Sequence, residues 1–174
     1  TSGGTLKAQI TGNIINNRGT IAAAKTADLA ATGDITAVGG RFTSTTQDVV
    51  LNADGKLTLT DSTVTAKSGV AHLYGAEGVT MAATQQDKAT NTTTGKVVTI
   101  EHAAVPATFD SEGKAAYTET IASNSTTTTG TTTVWGDSTV NAKQIDIESG
   151  KGTVTLSATD LKASNGIRVS AAQD

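Results

Sequence analysis

The chain has 174 residues, a mass of 17.5 kDa and a formal net charge of −3, one domain's worth of sequence or a fragment of something longer. Threonine, alanine and glycine (35, 26 and 18) supply 79 of the residues, against five aromatics and one methionine; large side chains carry most core energy, which argues against the broad two-layer core of an ordinary enzyme. No basic run marks a nucleic-acid binder, no apolar stretch reaches membrane-spanning length, and the absence of cysteine removes disulfides and thiolate metal sites.

No basic-then-apolar signal opens the chain, and Thr1 is not a natural start, so a piece of a larger precursor is expected. Low charge and recurrent Val, Ile and Leu argue against disorder for most of the length.

Residues 1–84 repeat. Leu29, Leu51 and Leu73 are each 22 residues apart. Six positions after each comes Ile35, Leu57 or Val79, and eight after each comes Ala37, Leu59 or Met81. Small residues follow two places on, at Ala31, Ala53 and Gly75, and Phe42 and Val64 lie thirteen after the first two leucines. With a 21-residue step, Gly12-Asn13-Ile14 falls on Gly33-Asp34-Ile35, and Ile21 on Phe42. Within each unit apolar residues alternate with polar ones, as in Leu57-Thr58-Leu59, the mark of half-buried strands. Gly, Asn and Asp fall between the runs, where turns need them.

A unit of 21 or 22 residues cannot bury its own inner face, but stacked copies can. The repeat therefore predicts an all-β chain forming a parallel β-helix, a solenoid with a narrow aliphatic core and β-branched Thr on its outer faces. Two alternatives share some of these features. A β-sandwich has short strands at regular spacing but does not need position-by-position identity between neighbouring strands. The Ala-rich stretch Ile21–Ala31 has helical propensity, although it occupies repeat positions that are strand or turn elsewhere.

Residues 85–130 break the period. Val97-Val98-Thr99-Ile100 predicts a strand, and Tyr117–Ile121 a second, with Asp110-Ser111-Glu112-Gly113 as the turn between them. Pro106 removes one ladder donor, which an edge strand tolerates. The expectation is an extra-helical β-hairpin with Thr-rich joints; a long disordered loop is the alternative.

The repeat returns in residues 131–174. Ser138-Thr139-Val140-Asn141-Ala142 matches Ser62-Thr63-Val64-Thr65-Ala66, Val140 and Leu161 are 21 apart, and Ile145 and Ile147 recur 22 later as Ile167 and Val169. The expected organisation is coils in 1–84, an excursion in 85–130 and coils of the same solenoid in 131–174. Roughly four coils are expected in the first part and two in the last.

No catalytic, cofactor-binding or metal-ligating residues are expected. Acids of catalytic solenoids gather at equivalent places on adjacent coils. Here Asp28 aligns with Val50 and His72, Asp34 aligns with Lys56, and Asp54 and Asp61 have no acidic counterpart one coil away. Such acids read as solvated surface. His72 and His102, the two histidines, fall in different segments and make no metal pair. Asn91-Thr92-Thr93 and Asn124-Ser125-Thr126 match glycosylation acceptors, as chance allows in a Thr-rich chain. Trp135 reads as a cover where the chain rejoins the coils.

Ile10-Thr11-Gly12-Asn13-Ile14 with Asn16 and Gly19-Thr20-Ile21, then Ala30-Ala31-Thr32-Gly33-Asp34-Ile35, resemble filamentous-haemagglutinin repeats. Ser138–Ala142 followed by Ile145-Asp146-Ile147 is similar to the second class of those repeats. These repeats form the shafts of large exoproteins exported by two-partner secretion, among them adhesins and contact-dependent growth-inhibition toxins of Gram-negative bacteria. The resemblance implies a right-handed β-helix at the cell surface, exported through a partner outer-membrane transporter and presenting binding or effector regions to a target-cell receptor. The family's Asn-Pro-Asn secretion motifs have no match, since Pro106 is the single proline. The expectation is a structural and interaction segment rather than an enzyme. The alternative is a carbohydrate-binding or carbohydrate-active β-helix of the tailspike or polysaccharide-lyase kind.

Overall fold

The structure is a computed structural model that describes residues 1–101, 108–109, 115–116 and 120–172, and between 85 and 135 the strand backbone alone. Among the described residues it is all-β, without a helix. Two compact units divide the chain: Thr1–Gln86 with Trp135–Asp174, and Asp87–Val134.

The first unit is a parallel β-solenoid of about five turns, each turn having three sides. The first coil is β1 (Leu6–Ile10), β2 (Ile14–Asn17) and β3 (Thr20–Ala23). The second is β4 (Ala27–Ala31), β5 (Ile35–Val38) and β6 (Arg41–Ser44). The third is β7 (Val49–Ala53), β8 (Lys56–Thr60) and the first part of β9 (Thr63–Gly75). The fourth uses the rest of β9 and β10 (Gly78–Ala82), and resumes at the first part of β15 (Ser138–Ser149). The fifth follows with the rest of β15, β16 (Val154–Leu156) and the first part of β17 (Thr159–Ala171), whose end begins a further turn.

Every strand pairs in parallel with its equivalent one coil on. Leu29 pairs with Leu51 and Leu51 with Leu73. Ile35, Leu57 and Val79 form a second column, and Phe42 and Val64 belong to a third, which continues into Val140. All of these side chains are buried. The period-two pattern thus sends one residue in two into a narrow column, where stacked copies bury what no single coil could. The Ala-rich stretch 21–31 is strand, in β3 and β4. Its small residues suit an inward position over Ser44 and Ala53, and tertiary packing overrides helix propensity there.

The corner between the second and third sides is built the same way in four coils. Arg18, Gly39, Asp61 and Ala158 sit there with φ of 56°, 63°, 48° and 48°. A left-handed residue turns the chain sharply, and only glycine does so without steric cost. The N–H groups of Arg18, Gly39 and Asp61 each donate to a carbonyl of the next coil, those of Val38, Thr60 and Ala82. Acids and amides stitch other corners. Asn13 Oδ1 accepts the Asp34 N–H, Asp34 Oδ1 the Lys56 N–H and Asp48 Oδ1 the Val70 N–H, each at 2.8 Å. One buried amide is exceptional: Asn16 Nδ2 has no partner among the described residues.

The fourth coil is interrupted at that same second-to-third corner. Ala71 pairs with Ile145, Val79 with Val154 and Val64 with Val140, steps of 74 (145 − 71), 75 (154 − 79) and 76 (140 − 64) residues, where steps that do not cross the excursion are 21 or 22. The coil count expected from the sequence changes accordingly. The excursion does not separate four coils from two; it opens one coil after its second side and returns to lay down its third. The departing and returning strands are held together: the Gly136 N–H donates to Thr84 O at 3.0 Å, and Asp61 accepts the Thr84 N–H at 2.9 Å and its hydroxyl. Buried Ser138 donates to Ala82 O at 2.5 Å and accepts the Ser62 N–H at 3.4 Å.

In the second unit β11 (Gln85–Glu101) pairs with β14 (Thr120–Trp135), and β12 (Thr108–Phe109) pairs antiparallel with β13 (Ala115–Ala116). The β12–β13 register, 108 with 116 and 109 with 115, is centred on position 112. The expected turn at Asp110–Gly113 lies outside the described residues, as do Pro106 and Tyr117. The expected strand Val97–Ile100 lies within β11.

Candidate functional site

Chemically diverse side chains concentrate on the outer surface of the first side and at the corner leading into it. On the first side one outward column runs Lys7, Asp28, Val50, His72, Asp146, Arg168, and the next runs Gln9, Ala30, Asn52, Tyr74, Glu148, Ser170. Parallel pairing in register makes these columns, because each outward position lands on its copy one coil away. The second side is uniform by comparison: Thr36, Thr58, Thr80 and Thr155 stack outward.

His72 and Asp146 meet across the coil that the excursion interrupts, with Nδ1 and Oδ2 3.5 Å apart. Gln144 Nε2 donates to both carboxylate oxygens of Asp146, at 3.2 and 3.1 Å. Lys7 and Asp28 make a similar exposed pair at 3.6 Å. Bridges of this exposure contribute about 0–1 kcal/mol each. Asp146 therefore has its oxygens directed at a histidine and an amide, an arrangement that fixes side chains on a surface and presents no activated nucleophile.

The corner between the third side and the first carries a shallow groove of about 520 Å³ over the third to fifth coils. Lys67, Lys143, Lys162, Asn141 and Ser164 supply its polar lining, and Ala142, Leu161, Ala163 and Ile167 its apolar floor. It lies at the last described coil, where the inward positions Leu161, Ala163 and Ile167 have no further coil over them among the described residues, and a register irregularity borders it. Between Ala142 and Gln144 the register shifts: Ala142 pairs with Ala66 and Ala163, whereas Gln144 pairs with Val70 and Gly166. One residue, Lys143, spans a corner that takes three residues in the coil before and two in the coil after. Such bulges bend strands and re-aim side chains. Lys162 Nζ contacts Asp160 Oδ2 at 2.5 Å. That hydrogen bond, reinforced by the charges of Asp160 and Asp137, holds the exposed ammonium above its usual pKa.

The acids considered from sequence find individual places. Asp28 faces Lys7, and Asp34 and Asp61 accept backbone hydrogen bonds at corners, so they are parts of the stitching rather than plain solvated surface. Asp54 lines a small depression with Gln9, Ile10 and Thr32. His72 is on the first side; His102 lies outside the described residues, and nothing is described of the Trp135 side chain. Among the described residues no three His, Asp or Glu side chains converge at metal-binding spacing. The three lysines of the groove were missed, yet the sequence signals two of them: Ser62–Ala66 and Ser138–Ala142, matched as a repeat, are each followed by lysine.

The chain matches no family model, no curated protein and no solved structure.

Proposed function

We propose that this chain is a shaft segment of a secreted surface exoprotein of the filamentous-haemagglutinin, two-partner-secretion kind, in which the stacked coils are scaffold and the excursion carries recognition of a target cell. The supporting observation is the corner at Ala82 and Ser138. Parallel register is kept through an interruption of more than fifty residues, and the interrupting segment clusters as a compact unit of its own. A scaffold held coil by coil tolerates such an insertion, and segments inserted into rigid scaffolds commonly carry binding. On this reading the full protein reaches the surface of a Gram-negative bacterium through an outer-membrane transporter, and its partner is a receptor on the target cell. No helix among the described residues is long and apolar enough to cross a membrane.

The test is adhesion of the purified chain to bacterial and epithelial cells, measured beside a variant lacking residues 87–134. Binding by the full chain that falls at least about tenfold in the variant, a loss of about 1.4 kcal/mol, supports the reading. Equal binding by the two, with circular dichroism showing both folded, overturns it.

A further inference from the structure

Among the described residues six large apolar side chains are exposed. Four of them, Ile10, Leu156, Ile167 and Val169, hold inward positions at the ends of the stack, paired with buried Ala31, Met81, Ile145 and Ile147, and so belong to the core columns. The other two point outward, and both lie on the second side. Ile15 is 76% exposed and Val38 43%. They sit on neighbouring coils as diagonal neighbours, because Ile15 pairs with Thr36, two residues before Val38. From Ile15 the outward column continues as Thr36, Thr58, Thr80 and Thr155, and from Val38 as Thr60 and Ala82.

Charge distinguishes this side from the other two. Its strands carry a single charged residue, Lys56, at the first position of β8. The first side carries Lys7 with Asp28 and His72 with Asp146, and the third carries Arg41 and the pair Asp160 and Lys162. Copies of a chain of net charge −3 repel one another over most approaches. At the second side contact meets neither like charges nor the desolvation of ion pairs. A sheet face of Thr, Val and Ile packs on another such face at about 10 Å, as in β-sandwiches. A two-fold axis along the stack sets the Ile15 column of one copy opposite the Val38 column of the other, so the face complements itself.

We propose that the second side is a docking surface for a second copy of this chain, the two solenoids lying side by side and pointing the same way, with Ile15 and Val38 of each packed against those of the other. Five coils at about 4.8 Å and strands of about five residues at about 3.3 Å make a face of roughly 400 Å². The pair buries roughly 800 Å², below the roughly 1,200 Å² of stable complexes, so association begins only at about 0.1 mM chain. The contact is independent of the excursion and of the shaft reading.

The test is sedimentation equilibrium of the full chain up to about 1 mM, beside Ile15→Lys, Val38→Lys and Val50→Lys. The last makes the same change of charge on the outward face of the first side. The full chain and Val50→Lys should move toward dimer as concentration rises, whereas Ile15→Lys and Val38→Lys should each weaken association at least about tenfold. Added salt should preserve or strengthen association, since it screens the repulsion between the copies. The chain has no cysteine, so Thr155→Cys provides one thiol on the second side and Asn52→Cys one on the first. A short bismaleimide should join two Thr155→Cys chains, whose thiols lie at one level when the solenoids point the same way, and should leave Asn52→Cys unjoined. All these positions face outward, and circular dichroism verifies that each variant is folded. A full chain that stays monomeric at about 1 mM, association that survives Val38→Lys, or association abolished by salt would overturn the proposal. Cross-linking of Asn52→Cys in place of Thr155→Cys would move the contact to another side.

Discussion

Leu51→Ala measures how the solenoid is held. Leu51 is fully buried, lies between Leu29 and Leu73 in register, and has core neighbours on both sides along the column. Buried Leu→Ala changes cost about 2–5 kcal/mol, the larger values where surroundings cannot collapse into the void. Ladder hydrogen bonds fix the coils at strand spacing above and below, which restricts collapse, so about 3–4 kcal/mol is expected. Val169 belongs to the same column at its last described position, 45% exposed and paired only with Ile147. Val169→Ala removes two methyl groups that are about half-buried, and at about 0.8 kcal/mol per buried group should cost about 1 kcal/mol. Guanidinium unfolding followed by far-UV circular dichroism gives both numbers. Equal costs at the two positions, or a cost below about 1 kcal/mol for Leu51→Ala, would refute a column buried by stacking.

Ala158→Gly should stabilise by about 0.5–1 kcal/mol, because the left-handed corner at φ 48° penalises a Cβ by more than the added chain entropy of glycine; an unchanged or lower unfolding midpoint would count against the corner geometry. Ser138→Ala should cost about 1–3 kcal/mol by leaving the buried N–H of Ser62 without its acceptor, while the Ala82 carbonyl keeps the Asp61 N–H, whereas the outward Thr139→Ala should cost less than 1 kcal/mol, about the range of surface changes. His72→Ala should change stability by less than about 1 kcal/mol, since its partner Asp146 keeps Gln144; chemical denaturation distinguishes these cases.

Legibility followed burial. The Leu29, Leu51, Leu73 spacing could be read because inward positions tolerate only aliphatic or small residues, and parallel register repeats that demand every coil. The match of Ser138–Ala142 to Ser62–Ala66 survived the excursion for the same reason: Val64 and Val140 are neighbours in one column. Outward positions obey no such demand. Asp146 beside His72 could not be foreseen without first closing the ladder across the interruption. The corner one residue long at Lys143 is an irregularity that a strict period hides. Left-handed Arg18, Asp61 and Ala158 were equally silent, because the corner is shaped by backbone and accepts several side chains at a cost.

The most direct test of a solenoid whose fourth coil is merely opened at a corner is to close that corner. In the coil before, Asp61 and Ser62 alone separate Thr60 from Thr63, and these positions align with Ala82 and Thr139. Deleting residues 84–137, so that Ala83 joins Ser138, leaves the same two-residue corner, and Ala83→Gly gives it the left-handed freedom that Gly39 has. Far-UV circular dichroism with guanidinium unfolding should then show a β-rich monomer that unfolds cooperatively. A chain without β signal or cooperative unfolding would mean that the removed segment is part of the coil stack, and that the corner is not an insertion point.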